Sequence, residues 1–272
     1  MTNWLLDSHL KRQRTGWTPA RVTLAQLVAL AAPAGVSLAE RGTAQIAVLM
    51  TALITCLVWE LAFDLVRGRS LSLHTATVAL IFAVLVPPAV PLWQIAMAAS
   101  FGVVFGELVF GGRGYGIVSG AAAAAGFLVF SFSGTGLSAS SEAMALATLP
   151  GAVLLLLGGL VSWRVLVSVV VVLVASGLAQ EGMSGMLAVL TTSAFGLVFL
   201  VADPVAGAST QLGRWVFGIL AGLLIVLFDT LAGSAIAPAA IVFASLLASI
   251  FAPLIDYAVV ELTVRRRRAR HG

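Results

Sequence analysis

Residues 43–66 read TAQIAVLMTALITCLVWELAFDLV, and Arg67-Gly68-Arg69 follows directly. Glu60 and Asp64 are the only charged side chains in that stretch. A helix needs about 20 apolar residues, at ~1.5 Å rise each, to cross the hydrocarbon of a bilayer. This stretch meets that requirement and ends in basic residues, as a membrane span does at the cytoplasmic surface. Working outward, comparable apolar stretches occupy 23–38, 72–90, 92–111, 116–132, 144–162, 164–180, 183–202, 214–232 and 236–262. The reading is an all-α membrane protein of about ten transmembrane helices. Residues 1–22 form a cytoplasmic N-terminal segment, 23–262 the membrane domain, and 263–272 a basic cytoplasmic tail. Ten spans allow two five-helix halves, and an odd number per half makes such halves inverted relative to one another.

The charges set the orientation. With the loops counted alternately inside and outside, Lys11, Arg12, Arg14, Arg21, Arg67, Arg69, Arg113, Arg164, Arg214, Arg265–Arg268 and Arg270 fall on one side. Of 15 Lys+Arg residues only Arg41 falls on the other. That asymmetry places both termini in the cytoplasm and the chain in a bacterial inner membrane. Composition agrees: 60% hydrophobic, 10% charged, mean hydropathy +1.09. The net charge of +4 sits in membrane-flanking loops and in the tail Arg265–Arg270, which suits an anionic bilayer surface rather than nucleic acid. The first 20 residues are polar and basic with no apolar core, so no cleavable leader is expected.

Cys56 is the only cysteine, which excludes an intrachain disulfide and an all-cysteine iron–sulfur cluster built by this chain alone. His9, His74 and His271 are far apart, so no multi-histidine metal site is expected. No nucleophile–base pair, phosphate loop or metal motif marks a solitary soluble-substrate enzyme. Ionisable residues at membrane depth are the remaining functional candidates. Glu60, Asp64, Glu107, Asp203 and Asp256 fall toward cytoplasmic helix ends, and Asp229 toward an outer end. They read either as an acidic, cytoplasm-facing cavity for a cation or polar cofactor, or as helix-end carboxylates paired with arginines, Asp64 with Arg67 or Arg69. His74 reads as a helix-start residue. Pro204 biases Asp203 out of the α region, so Asp203 caps a turn or points into a site.

Four segments carry a resemblance. Phe199-Leu200-Val201-Ala202-Asp203-Pro204-Val205 with Ser209-Thr210 resembles the signature of the RnfD/NqrB family, membrane subunits of the Rnf electron-transport complex and of the sodium-pumping NADH:quinone reductase. Val86-Pro87-Pro88-Ala89-Val90-Pro91-Leu92-Trp93 resembles that family's outer turn. Phe110-Gly111-Gly112-Arg113-Gly114 resembles its Gly-rich turn. Gly213-Arg214, Phe217-Gly218, Gly222-Leu223-Leu224 and Phe251–Tyr257 resemble its last two helices. The resemblance implies an electron-transfer subunit working with other membrane and flavoprotein subunits, coupled in some members to Na⁺ or H⁺ movement. It implies an FMN esterified to a Thr in an outside loop and a second, non-covalent flavin such as riboflavin. Asp203, Asp256, Gly111, Gly112 and Gly114 are then the candidate cofactor-side residues.

This chain departs from the family pattern in that outside loop. The loop is shorter, and its match is Thr135-Gly136-Leu137-Ser138-Ala139-Ser140-Ser141. Thr135 stands where the motif has an acid, and Ser141 where it has the acceptor Thr. The family's Asn-rich stretch is replaced by Gly116–Ala121, and Ser249 stands in place of an Asn. The leading reading is a shortened redox subunit with Ser141 as flavin anchor. Two alternatives remain: a transporter or channel on the same scaffold, and a cofactor-free scaffold subunit. A C-terminal fluorescent-protein fusion is expected to fluoresce, and a C-terminal alkaline phosphatase fusion to be inactive. The reverse pattern would overturn the orientation.

Overall fold

In the computed structural model, residues 19–68, 73–112, 114–132, 134–232 and 238–271 are described. Lys11, Arg12, Arg14, Arg69, Arg113 and the N-terminal segment lie outside them, as do the side chains beyond Arg265. Among the described residues all regular structure is helical. The helices are α1 (Pro19–Arg41), α2 (Thr43–Arg67), α3 (Thr75–Leu85), α4 (Leu92–Val103), α5 (Gly120–Ser131), α6 (Glu142–Leu157), α7 (Trp163–Gly196), α8 (Gln211–Ala232) and α9 (Pro238–His271). Two of them end in a π-helical turn, α4 in Val104–Leu108 and α7 in Leu197–Val201.

Helix α7 is two crossings, not one. Gly182 has φ 67°, a left-handed conformation that reverses the chain cheaply only at glycine. A Cβ on Gly177 would lie 2.9 Å from the Met186 Cα. In a straight helix those residues would be about 13 Å apart, so the chain doubles back between them. The two arms, Trp163–Gln180 and Gly182–Val201, are each long and apolar enough to span. Their limits match the two sequence-derived spans.

All ten expected apolar stretches contain helix, but only six helices are long enough to cross a membrane alone. Helices α3, α4 with its π turn, α5 and α6 are shorter. The 11 residues of α3 extend about 16 Å, roughly half the ~30 Å hydrocarbon thickness. A half-helix survives there only when protein covers its ends and satisfies its backbone. The packing does cover it. Phe82 and Val86 are fully buried, and Thr75, Ala79 and Ala83 nearly so.

The polar ends of α3 are held from neighbouring elements. At the N-terminus, Glu60 on α2 accepts the backbone N–H groups of His74 and Thr75, both at 3.2 Å, and the Thr75 hydroxyl at 2.5 Å. At the C-terminus, Arg41 Nη1 donates to the carbonyls of Val84 (2.8 Å) and Val86 (3.3 Å). Gln45 Nε2 donates to Ala83 at 2.7 Å. The Ser138 N–H reaches the Leu85 carbonyl at 2.8 Å. An anion at the start of a helix and a cation at its end also match the helix dipole. This explains the one basic residue that breaks the charge asymmetry: Arg41 is a C-terminal cap for α3.

Close approach brings α4 and α5 together. A Cβ at Gly102 would lie 2.5 Å from the Ala124 Cβ, and one at Gly106 2.6 Å from the Gly120 Cα. Small residues four apart let helix backbones touch, which supplies dispersion contacts where lipid offers no hydrophobic drive. The outer surface is apolar, with Val66, Phe130 and Leu157 each at least 85% exposed. Glu60, His74, Ser119 and Asp229 are buried. That distribution inverts the soluble pattern and suits lipid contact. Glu60→Ala, which orphans two buried N–H groups, is expected to destabilise the protein by about 2–4 kcal/mol, read as a lowered thermal midpoint in detergent. An unchanged midpoint would mean α3 does not depend on its cap.

Candidate functional site

The N-terminus of α3 forms one wall of a small interior cavity. Two irregular segments form others: the Gly-rich turn after α4 and the Asp203-Pro204-Val205 turn after α7. The volume is about 40 Å³, enough for a water molecule or a small ion. His74, Thr77, Glu107, Ser119 and Asp203 line it, with Gln26 from α1.

Each polar group arrives by a distinct local feature. The π turn Val104–Leu108 carries Glu107, with the Val109 N–H bonded to the Val104 carbonyl at 2.9 Å. Single π turns re-aim a helix face and often mark functional positions. Glu107 Oε2 lies 3.4 Å from His74 Nε2. Asp203 follows the second π turn. Its Oδ1 accepts the Val205 N–H at 2.8 Å, an Asx-type turn that Pro204 favours by blocking continued helix. Asp203 therefore both caps a turn and lines the cavity. Burial in this turn pushes the Asp203 carboxyl above the ordinary range, and Ser119 also hydrogen-bonds it.

The other expected residues separate. Gly114 lines the cavity. The Gly111 and Gly112 N–H groups instead close the α4 terminus onto the Leu108 and Glu107 carbonyls, at 3.2 and 2.9 Å. Asp256 stands away from the cavity lining. Its Oδ2 accepts the Ser209 N–H (2.7 Å) and hydroxyl (2.8 Å), and its Oδ1 the Thr210 N–H (3.0 Å) and hydroxyl (2.6 Å). Those four bonds occupy both carboxylate oxygens and clip α9 to the start of α8. Arg67 lies over the Phe63 ring at 5.1 Å. Glu60, which the sequence left open between site and structure, is the α3 cap.

Ser141 is on a different part of the molecule. It is the N-cap of α6: its Oγ accepts the Met144 N–H at 3.1 Å and donates to Glu40 on α1 at 2.5 Å. Thr135 donates to the carbonyls of Phe132 and Leu128, capping α5. Sequence reasoning missed the Ser141–Glu40 contact, whose partners are 101 residues apart. It also missed the His74–Glu107 contact. The one available signal was Glu40-Arg41 itself, a charged pair at an otherwise uncharged helix end.

These features tested against a flavin give two answers. The interior cavity, at about 40 Å³, is far below the ~300 Å³ or more of a site for a ligand of that size, so riboflavin does not fit it. Ser141 does fit a phosphoester: a hydroxyl near the surface, at the positive end of a 16-residue helix, where an anion is stabilised.

The half-helix, the paired π turns and the buried polar cavity define a polytopic membrane protein built around an interior ion-sized site. The family model for the NQR2, RnfD, RnfE family matches residues 8–138 and 134–265, and the chain belongs to that family. Relatives include a membrane component of the Na(+)-translocating NADH-quinone reductase of Pseudomonas aeruginosa and its counterpart in Haemophilus influenzae. Each is 30% identical, with the match covering 79% of this chain and 66% of the relative. The chain thus spans slightly under two thirds of these relatives' length. Asp256→Ala is expected to cost about 1 kcal/mol or more of stability through loss of the α8 cap, seen in the thermal midpoint. An unchanged midpoint with lost function would instead give Asp256 a direct role.

Proposed function

We propose that this chain is an electron-transfer subunit of a membrane complex of the NADH–quinone reductase or Rnf type, carrying FMN on Ser141 and associated with cation movement. Its partners are other membrane and flavoprotein subunits of that complex and the surrounding bilayer. It sits in the inner membrane with both termini cytoplasmic, as the arginine asymmetry supports. The observation that carries the reading is the His74–Glu107–Asp203 cavity inside an apolar bundle of this family. Buried carboxylates at membrane depth are costly and persist where an ion or proton is handled. Glu107 and Asp203 offer acceptor oxygens for a small cation as cargo. His74 and Ser119 hold those oxygens in place.

Helix pairing supports two inverted halves, α1–α5 and the stretch from α6 through both arms of α7 to α9. Helix α1 packs on α6, and α5 on α9, so like positions meet across the halves. Within halves, α2 packs on α4 as the first arm of α7 packs on α8 through Gly218 and Gly222. Helix α4 packs on α5 as α8 packs on α9. Helix α3 meets α5 as the second arm of α7 meets α9, where Gly196 touches Ile241. The cavity then lies where broken helices of the two halves meet.

FMN supplies one- and two-electron redox chemistry when bound. Ser141 would hold its phosphate through Oγ, with the Met144 N–H and the α6 terminus facing the anion. The test is expression in membranes with a flavin transferase. A flavin-fluorescent band on a denaturing gel, with an FMN-sized mass on the peptide holding Ser141, is expected and should vanish in Ser141→Ala. A dark wild-type band would remove the redox role and leave a transporter or scaffold. Asp203→Asn is expected to lower ion-coupled turnover sharply at unchanged membrane abundance. Loss of abundance instead would leave Asp203 only its turn-capping role.

A further inference from the structure

We propose that Glu40 is the base that activates Ser141 for attachment of FMN, supplying from α1 the carboxylate that the loop lacks at Thr135. This rests on the flavin reading above and deepens it. The Ser141 hydroxyl donates to Glu40 Oε1 at 2.5 Å, already on the path along which its proton would leave. Thr135 cannot play this part, because its hydroxyl is turned back onto the Phe132 and Leu128 carbonyls. Arg41, the neighbouring cation, is engaged on the Val84 and Val86 carbonyls. Among the described residues Glu40 makes no ion pair.

The pair is positioned by tertiary packing. Helices α1 and α6 lie against each other, and a Cβ on Gly151 would run into the Ala29 backbone. That contact fixes the distance between the end of α1 and the start of α6. Glu40 is exposed and Ser141 half-buried, so a flavin nucleotide and its transferase can reach both.

The reacting partner is a flavin dinucleotide, whose pyrophosphate supplies a leaving group. Ser141 Oγ attacks the phosphorus on the riboflavin side. The Oγ–P bond forms, and the P–O bond to the nucleoside monophosphate breaks, with the bonding pair leaving on that monophosphate. The hydroxyl proton passes to Glu40, and no electrons change hands. Protonated Glu40 is neutral, so the new phosphodiester does not face a carboxylate at the moment it forms. The Met144 N–H and the positive end of α6 share its charge.

The experiment incubates purified full-length chain in detergent with a flavin transferase and flavin adenine dinucleotide. It follows covalent flavin per chain by gel fluorescence and by mass of the Ser141 peptide. Wild type should label and Ser141→Ala should not. Glu40→Gln should label on the order of 100-fold more slowly at an unchanged thermal midpoint, because the amide still accepts the hydroxyl. Glu40→Asp should restore part of the rate. Wild-type labelling with Glu40→Gln labelling equally fast would overturn the role of Glu40 alone. Slow labelling with a lowered midpoint and no recovery in Glu40→Asp would make Glu40 merely structural and overturn it too. No labelling of wild type would overturn this role together with the flavin reading.

Discussion

A helix that stops halfway through a hydrocarbon layer leaves backbone N–H and C=O groups with no water to bond. The rest of this structure is organised around solving that problem for α3. Glu60 covers its start, and Arg41, Gln45 and the Ser138 N–H cover its end. The donors and acceptors come from α1, α2 and the outer loop, so satisfying α3 ties those elements into one unit. Each is an obligatory contact, since an orphaned group in that setting costs several kcal/mol. The capping carboxylate also occupies the place where the cavity would otherwise open onto bare helix N–H groups.

The same constraint shapes the site. Once α3 is anchored, His74 at its first turn is held against Glu107, and the two π turns can present Glu107 and Asp203 to one small space. The glycines that bring α4 onto α5 leave little room around it. The interior therefore holds something ion-sized and leaves anything as large as a flavin to the surface. Ser141 lies at such a surface, where α1 meets α6, and there the structure pairs it with a carboxylate.

Carboxylates that look alike in the sequence do unlike work. Glu60 and Asp256 are both consumed in capping, one for α3 and one for α8. Asp203 caps a turn while still facing the cavity. Glu107 makes its contact with a histidine rather than an arginine. Spacing along the chain could place all four near helix ends on one side, because hydropathy fixes depth. It could not separate capping from lining, because that depends on which helix terminus lies opposite.

The sequence by itself determined the class, the ten apolar stretches and their approximate limits, since each follows from local hydropathy and the needs of a bilayer. Its ordered motifs also pointed to the family. Tertiary structure decided the rest: that four of the ten stretches are too short to cross alone, that Arg41 is a cap, that His74 meets Glu107, and that Glu40 meets Ser141. Those facts rest on contacts between residues up to 101 positions apart. Local pattern carries no information about such contacts, which exist only once the helices have packed.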